Sequence, residues 1–385
     1  MAGTSTRDLI DRSWKDVLRW LPGDIDTLAF TTGGMQKRRQ IRTGAQLLRL
    51  AFGYAVLDLS LRSTAAWART QGIADMSDVA VYKRLSAAPP FLEELLRRLL
   101  QRRLALPRMG ALPWRVRIVD STTVSAPGSL GADWRIHASY DPEQGEFDAI
   151  EVTDNKGGEH LERGGPKAGD LVVADRGYAH SARVLAIRDA GAHVLVRVGH
   201  SAVPMWTPEG ERLDPVRWAR RKREHAGRPP AVEEANVVLR GEDGKTCSAR
   251  LVVVRKSRAA AEQERERILR ELSRKGRQPT ARTLAAASFT FLLCTLPASE
   301  APPTLLADLY RVRWQVELGF KRWKSLLDLA DLRAREPGLA RCYILAKLVA
   351  AVLADAISRA PRDFSPWGYP LEDAPEPVAM VPLGR

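Results

Sequence analysis

The pattern of apolar and polar positions divides the chain into a helical first quarter and a longer stretch that mixes strands with helices. Residues 1–105 read as helical, broken at Leu21-Pro-Gly-Asp, Thr31-Thr-Gly-Gly and Ala88-Pro-Pro, where glycine and proline punctuate the pattern. Within this segment Ser63–Gln71, the turn Gly72-Ile-Ala-Asp-Met and Ser77–Leu85 read as helix, short turn, helix. Ser63 and Ser77 are placed as N-caps and Gly72 as the stop. After Leu104-Ala-Leu-Pro the period shortens. Trp114–Asp120 alternates as a half-buried strand, Ser121–Gly128 continues extended into a turn, and Phe147–Thr153 is another strand. Gly169–Asp175 is a nearly continuous apolar run, the mark of a central strand. A helix over His180–Ala190, a stop at Gly191 and a strand over Ala192–Arg197 follow. Three strands and then strand–helix–strand predict an α/β fold with a mixed sheet.

Residues 201–288 break that rhythm. Val232–Arg240 and Cys247–Arg255 are strand-like and joined by the hairpin turn Gly241-Glu-Asp-Gly, with basic clusters around them and a charged helix over about Ala259–Arg274. Phe289–Leu296 is a return strand, Pro302–Leu332 is helical, and Tyr343–Ile357 reads as a buried terminal helix. The predicted organisation is a helical domain over 1–108, a core over 109–200, a β-rich basic insertion over 201–288 and a second core part over 289–358. A proline-rich tail covers 359–385.

The stretch Tyr310–Lys324 organises the second core part. Read as one α-helix at about 100° per residue, it places Tyr310, Arg313, Glu317 and Lys324 within an arc of roughly 60°. Leu309, Val312, Val316, Phe320, Trp323 and Leu327 form a neighbouring apolar stripe, wide enough to seat the helix on a core. A carboxylate framed by two cations and a hydroxyl suits a site that holds a metal ion and a phosphodiester together. The plainer alternative is an amphipathic helix with a solvated polar rim.

Charge narrows the partner. The chain carries 60 Lys/Arg against 46 Asp/Glu, a net +14, which favours a polyanion and in particular nucleic acid. Residues 1–105 hold 17 of the basic and 10 of the acidic side chains, so half of the excess lies in the helical quarter. There, Tyr82, Lys83 and Arg84 on the second hairpin helix suit a helix-turn-helix reader in a DNA groove, against the alternative of a plain hairpin with a basic face. Arg220-Arg-Lys-Arg223 is a further candidate for phosphate contact. Three dispersed cysteines (Cys247, Cys294, Cys342) offer neither a disulfide framework nor a zinc spacing, which fits a reducing cytosol. The N-terminus lacks the apolar run of a signal peptide. The most apolar segments, Leu47–Leu61 and Tyr343–Ile357, are short for a membrane span and interrupted by charges.

Asp120 and Asp175 each close an apolar strand, and Glu317 lies on the polar edge of the helix. Carboxylates at the C-terminal ends of adjacent strands can converge at one end of a sheet. Three carboxylates without nearby His or Cys favour a hard cation, Mg²⁺ or Mn²⁺, bound jointly with phosphate oxygens. Two such ions can activate an attacking hydroxyl and stabilise the leaving oxygen. Asp154, Glu159 and His137 are weaker candidates, read as loop carboxylates and a structural hydrogen-bonding histidine.

At these residues the sequence resembles a known family. Val119-Asp120-Ser-Thr-Thr, Ala174-Asp175-Arg-Gly-Tyr and the element Tyr-x₂-Arg-x₃-Glu-x₆-Lys, met by Tyr310, Arg313, Glu317 and Lys324, resemble the DDE transposases of the bacterial insertion-sequence-four family over roughly residues 110–350. The resemblance implies an RNase H-like core interrupted by a mostly β insertion before the glutamate helix. It implies Asp120, Asp175 and Glu317 as ligands of two Mg²⁺ ions per site, with Mn²⁺ able to substitute, and Tyr310, Arg313 and Lys324 as contacts to the DNA end. Cut-and-paste transposition through a hairpin, a homodimer on double-stranded DNA comprising transposon ends and target, and a cytoplasmic, nucleoid-associated protein with no membrane partner are what the family leads one to expect. Some relatives stack a flipped base on a tryptophan; here Phe291 matches that position best, with Trp206, Trp218 and Trp314 as other candidates and a core role as the alternative for Phe291. Two other functions remain open: an RNase H-like nuclease without strand transfer, and a DNA-binding regulator without catalysis.

Overall fold

The structure, a computed structural model, describes residues 14–104, 112–225, 231–329 and 332–359. It divides into two compact units, one formed by the residues up to Arg102 together with those from Leu326 onward, the other by Arg103–Ser325. No described helix is long and apolar enough to cross a membrane. All three cysteines are free.

The first unit is all-helical: α1 (Trp14–Trp20), α2 (Ile25–Thr31), α3 (Gly44–Ala55), α4 (Leu61–Thr70), α5 (Asp78–Ser86) and α6 (Pro89–Leu104), joined by α13 (Pro337–Arg359). Local chemistry sets the helix starts. Thr43 and Gln46 close a capping box on α3, and the Ser77 hydroxyl accepts from the Ala80 N–H to start α5, as its position predicted. At α4 the cap is Ser60 instead of Ser63, whose own N–H donates to the Ser60 hydroxyl; the helix therefore begins two residues before Ser63. Gly72 ends the turn at φ +64°, a conformation cheap for glycine. The terminal helix was expected in the second core part. It packs instead against α3, α5 and α1, burying Ile344, Leu348 and Val349 with the helical unit. Its apolar faces match those of α3, and the Tyr343 hydroxyl donates to Asp58 at 2.9 Å, a pairing across 285 residues that sequence pattern alone does not reveal.

The second unit is built on one eight-stranded mixed sheet. Its strands are β1 (Arg115–Val124), β2 (Trp134–Asp141), β3 (Glu146–Asp154), β4 (Asp170–Ala174), β5 (His193–Val198), β6 (Val232–Arg240), β7 (Thr246–Arg255) and β8 (Phe289–Cys294). They lie in the order β3-β2-β1-β4-β5-β8-β7-β6. β1, β4 and β5 run parallel, and every other pair is antiparallel. An antiparallel three-stranded meander followed by parallel strands is the RNase H-like arrangement, here preceded by the all-helical region. All five residues of β4 are buried, as its unbroken apolar run requires of a strand covered on both faces. On one face α7 (Ser181–Asp189) and α8 (Pro215–His225) pack Val184, Ile187, Val216 and Ala219 onto the valines of β4 and β5. The block 201–288 folds in two parts. Its predicted hairpin forms as β6 and β7 but extends the core sheet through β8, while α8, α9 (Arg258–Arg274) and α10 (Ala281–Ala286) supply the remainder.

Two helices complete the unit, α11 (Pro303–Val312) and α12 (Trp314–Leu327). α12 is seated by aromatic contacts: the Phe147 ring on β3 lies 3.9 Å from Trp323 and 5.5 Å from Phe320, centroid to centroid. Gly319 makes that approach possible, since a Cβ there would lie 2.6 Å from the Phe147 ring. Phe147 is itself buried and held by Tyr140, so it cannot yield. Gly319→Ala should therefore destabilise the unit by about 1–3 kcal/mol through overpacking, although alanine gains about 1 kcal/mol of helix propensity over glycine. Thermal melts test this, and a melting temperature at or above that of the parent would contradict the close packing.

Candidate active site

The site begins with strand register. β1 and β4 run parallel, and their last paired residues are Val119 and Ala174. The next residue in each case is an aspartate: Asp175 follows the end of β4 as expected, whereas Asp120 does not close its strand but lies within β1, still paired with Ala138 of β2, at the point where the parallel ladder with β4 stops. The register is held by Arg117, buried two residues before Val119. It ion-pairs with Asp148 on β3 and Asp170 at the start of β4, and donates to the carbonyls of Gly164 and Gly165. One guanidinium thus ties three strands and a loop, and removing a single partner of such a network would strand a buried charge.

Beyond Asp175 the chain turns through a short 3₁₀ segment, Arg176–Tyr178. Tyr178 is buried, and burial followed by the charges of Asp120 and Glu159 holds its phenol protonated. Glu159 was read from sequence as a loop carboxylate. It belongs to the surroundings of the site: it accepts from the Ser121 hydroxyl at 2.8 Å and pairs with Arg135 at 2.9 Å. It also lies so close to Gly177 that a Cβ there would collide with its carboxylate. Asp154, also read as a loop carboxylate, is instead the last residue of β3, paired with Trp134, and accepts from the Lys156 N–H in the turn that follows.

The continuous helix expected over Tyr310–Lys324 is divided. Arg313 sits between α11 and α12, where its N–H donates to Tyr310 and its carbonyl accepts from Val316, both three-residue spacings of a tightened turn. Around this break the Tyr310 hydroxyl donates to Asp175 at 2.9 Å. Arg313 bridges Asp120 at 3.4 Å and Glu317 at 2.7 Å, and Arg197 stands 3.9 Å from Asp175. Asp120, Asp175, Glu317, Tyr310 and Arg313 are therefore brought together. Lys324 lies about 10 Å further along the helix axis, is partly exposed, and joins no ion pair among the described residues.

The two aspartates feel different fields. Burial pushes Asp120 up to about 6, and the neighbouring charges of Glu317 and Asp175 add to that against the Ser121 N–H and Arg313. Burial also acts to raise Asp175, but the Arg176 N–H, the Tyr310 hydroxyl, Arg313 and Arg197 outweigh it and lower its pKa. Burial and the Asp175 charge raise the Tyr310 phenol, which stays a donor. Among the described residues no group of three or more acidic, His or Cys side chains is arranged to hold an ion, and the Arg313 guanidinium joins Asp120 to Glu317. The donor set is nonetheless all carboxylate, the chemistry that suits a hard divalent cation.

Other sequence candidates fall elsewhere. Tyr82, Lys83 and Arg84 lie on α5 of the helical unit, Lys83 exposed and the other two partly buried. Phe291 is 3% exposed and tilted against Phe289 in the sheet core, the packing role weighed for it, and it also lines the basic cavity beside Arg176 and Arg197. Trp206 is covered by the Arg240 guanidinium and Trp218 packs on the core, whereas Trp314, beside Arg313, is 57% exposed. Arg220 and Arg221 are exposed; the side chains of Lys222 and Arg223 lie outside the described residues. The sequence reading missed a basic cavity of about 210 Å³ lined by Arg176, Arg197, Lys256, Arg267 and Glu264. Its sequence signals are Arg176, directly after Asp175, and Lys256 within the basic cluster Arg255–Arg258. The cations other than Arg176 come from β5, the segment after β7, and α9.

An RNase H-like sheet with aspartates on adjacent strands and a glutamate helix beside them defines a class of acidic-site proteins. Comparison with known proteins specifies it. The family model described as Transposase DDE domain matches residues 113–353, a span that includes Asp120, Asp175 and Glu317. The chain is 38% identical over 362 residues to the InsL protein of insertion sequence element IS186A from Escherichia coli (strain K12), covering 92% of this chain and 96% of that protein. It is 38% identical over 363 residues to the transposase for insertion sequence element IS421 from Escherichia coli, with the same coverage. The transposase for insertion sequence element IS231F from Bacillus thuringiensis subsp. israelensis is 25% identical over 268 residues, 62% of this chain and 55% of that protein. The chain belongs to the DDE transposase family.

His137, on β2, has the structural role expected of it: it is buried and shares a 3.0 Å hydrogen bond with the Thr153 hydroxyl. Burial, with Arg163 next, lowers its pKa to about 4. In the unfolded chain it binds a proton near pH 6.5, so between about pH 6.5 and 4 the unfolded state holds more protons and stability falls as the pH drops, by roughly 1.4 kcal/mol per pH unit from this group. Urea denaturation at several pH values should show that slope reduced in His137→Gln, which retains a hydrogen-bonding side chain without titrating; identical slopes would contradict the buried neutral state.

Proposed function

We propose that the chain is a cut-and-paste DNA transposase of the insertion-sequence-four type, acting on the ends of its own element. The observation that carries this reading is the convergence of Asp120, Asp175 and Glu317 around Tyr310 and Arg313, three carboxylates from two strands and a helix. These carboxylates would hold Mg²⁺, or Mn²⁺ in its place, as two ions per site. When bound, such ions polarise a phosphodiester and generate the attacking oxygen nucleophile. The protein's own groups prepare that chemistry. Tyr310 fixes the rotamer of Asp175, Arg313 carries the charge that an entering phosphate meets, and Lys324 extends the cationic edge along the helix towards the DNA.

The helical unit would bind the terminal inverted repeats. A homodimer bringing two ends together on DNA is the expected active assembly, since excision requires both. For the hairpin step, Trp314 is the best supported of the aromatic candidates, being exposed and next to Arg313; a base displaced from the helix can stack on such a ring. The strand end of the element would then be joined to the opposite strand or to target DNA.

The decisive experiment incubates purified protein with labelled DNA containing the element's ends, with Mg²⁺ or a chelator, and resolves products on a denaturing gel. Asp120→Ala, Asp175→Ala and Glu317→Ala should each abolish metal-dependent cutting, a loss of about 10³-fold or more, while leaving DNA binding within a few fold. Cutting by Glu317→Ala at the parental rate would refute the assignment, and nicking without strand transfer would favour a plain nuclease.

Arg313→Ala gives an independent readout. It leaves Asp120 and Glu317 without their shared counterion, so the metal-free variant should lose about 1–3 kcal/mol of stability, and Mg²⁺ should raise its melting temperature more than that of the parent. Equal Mg²⁺ shifts in both proteins would contradict the role of Arg313 as the charge that balances the carboxylates.

A further inference from the structure

The helical unit carries a cationic cleft that joins Lys83 and Arg84 to cations from a separate loop. Gln36–Gln40 is a run of five exposed residues between two fully buried ones, Met35 and Ile41, at 0% and 1% exposure. These two anchors press the ends of the loop into the core and hold its polar middle at the surface. The C-terminal end is fixed again by the Gln46 side chain, which accepts from the Arg42 N–H at 2.8 Å, and by the Gly44 N–H donating to Asp26 at 2.7 Å. Arg38 turns aside over the Phe30 ring, 5.0 Å from its centroid.

Lys37 and Arg39 remain, and they line one cleft of about 540 Å³ together with Lys83 and Arg84 of α5. Ile41, Met76 and Ala80 also line it, as do the amides of Gln36 and Gln40. Asp75 is the acid in the lining, and it is already paired with Arg69 at 2.7 Å. Neither Lys37, Arg39, Lys83 nor Arg84 has an ion-pair partner among the described residues. Burial and then the nearby Arg39 charge lower the Arg84 pKa, as expected of two cations held together with no anion between them.

We infer that this cleft grips the phosphate backbone of duplex DNA, with the loop 36–40 on one wall and α5 on the other. The inference rests on the DNA-transposase reading and changes its geometry. A helix that reads base edges must project into the groove; Lys83 and Arg84 instead line a concavity, which receives the raised backbone of one strand. Contact with phosphates positions the protein and carries no sequence information.

The test uses the full-length protein, fluorescence anisotropy and two labelled duplexes, one containing an end of the element and one of scrambled sequence, across a range of salt. Lys37→Ala/Arg39→Ala should weaken binding to both duplexes by the same factor, roughly tenfold per charge near 0.1 M salt, and flatten the slope of log K against log salt by about 0.9 per charge. Lys83→Ala/Arg84→Ala should do the same. Arg62→Ala, an exposed cation of the same unit outside the cleft, should leave the slope within half a unit. Since Lys37 and Arg39 are exposed, unchanged thermal melts exclude misfolding as the cause. A parental slope in the Lys37→Ala/Arg39→Ala variant, or a loss confined to the element's own end, overturns the cleft while leaving the transposase reading intact. A parent protein that binds neither duplex overturns both.

Discussion

Parallel pairing of β1 with β4 is the constraint from which the catalytic end of the molecule follows. Val119 and Ala174 close the ladder, and one residue later each strand delivers an aspartate to the same end of the sheet. A slip of one residue would turn Asp120 to the opposite face. The buried Arg117 makes such a slip costly, because its partners come from β3, β4 and the loop at Gly164 and Gly165. The ion pairs near the start of β1 thus secure the carboxylate geometry three residues further along the strand.

Charge balance then shapes the site itself. Three carboxylates gathered at one sheet end repel one another, and the rise of Asp120 records that repulsion on top of its burial. Arg313 offsets it by bridging two of them from the break between α11 and α12. An unbroken helix would offer one smooth polar edge. The tightened turn at Arg313 is compatible with Tyr310 addressing Asp175 while Arg313 addresses Asp120, so backbone irregularity and site function coincide, as they often do. The close packing of α12 on Phe147 through Gly319 fixes where Glu317 starts from. Cations from later in the chain, Arg197 of β5 and Arg267 of α9, add a positive lining on the Asp175 side.

Much of the fold was legible because period and punctuation are local properties. Alternation marked β1, the unbroken apolar run marked β4, and Ser77 and Gly72 marked cap and stop. The order of elements then implied a mixed sheet. Errors arose where a local signal had two readings. Ser60 and Ser63 are both competent caps, and only the packing of α4 decides between them. The strand-like segments 232–240 and 247–255 carry no mark saying whether they form a sheet of their own or extend the existing one.

The sequence by itself determined the acidic residues, the Tyr-x₂-Arg-x₃-Glu-x₆-Lys spacing, the helical-then-mixed order and the basic excess of the first quarter, since each is a matter of residue identity and short-range period. Tertiary structure alone decided the rest. It joined the terminal helix to the helical unit, drew Glu159 to Ser121 from 38 residues away, and assembled cations from several elements beside Asp175. It also set Lys37 and Arg39 beside Lys83 and Arg84. The physical reason is the same in each case: these groups meet through burial and through the electrostatics of the folded chain, and neither is expressed in the spacing of residues along it.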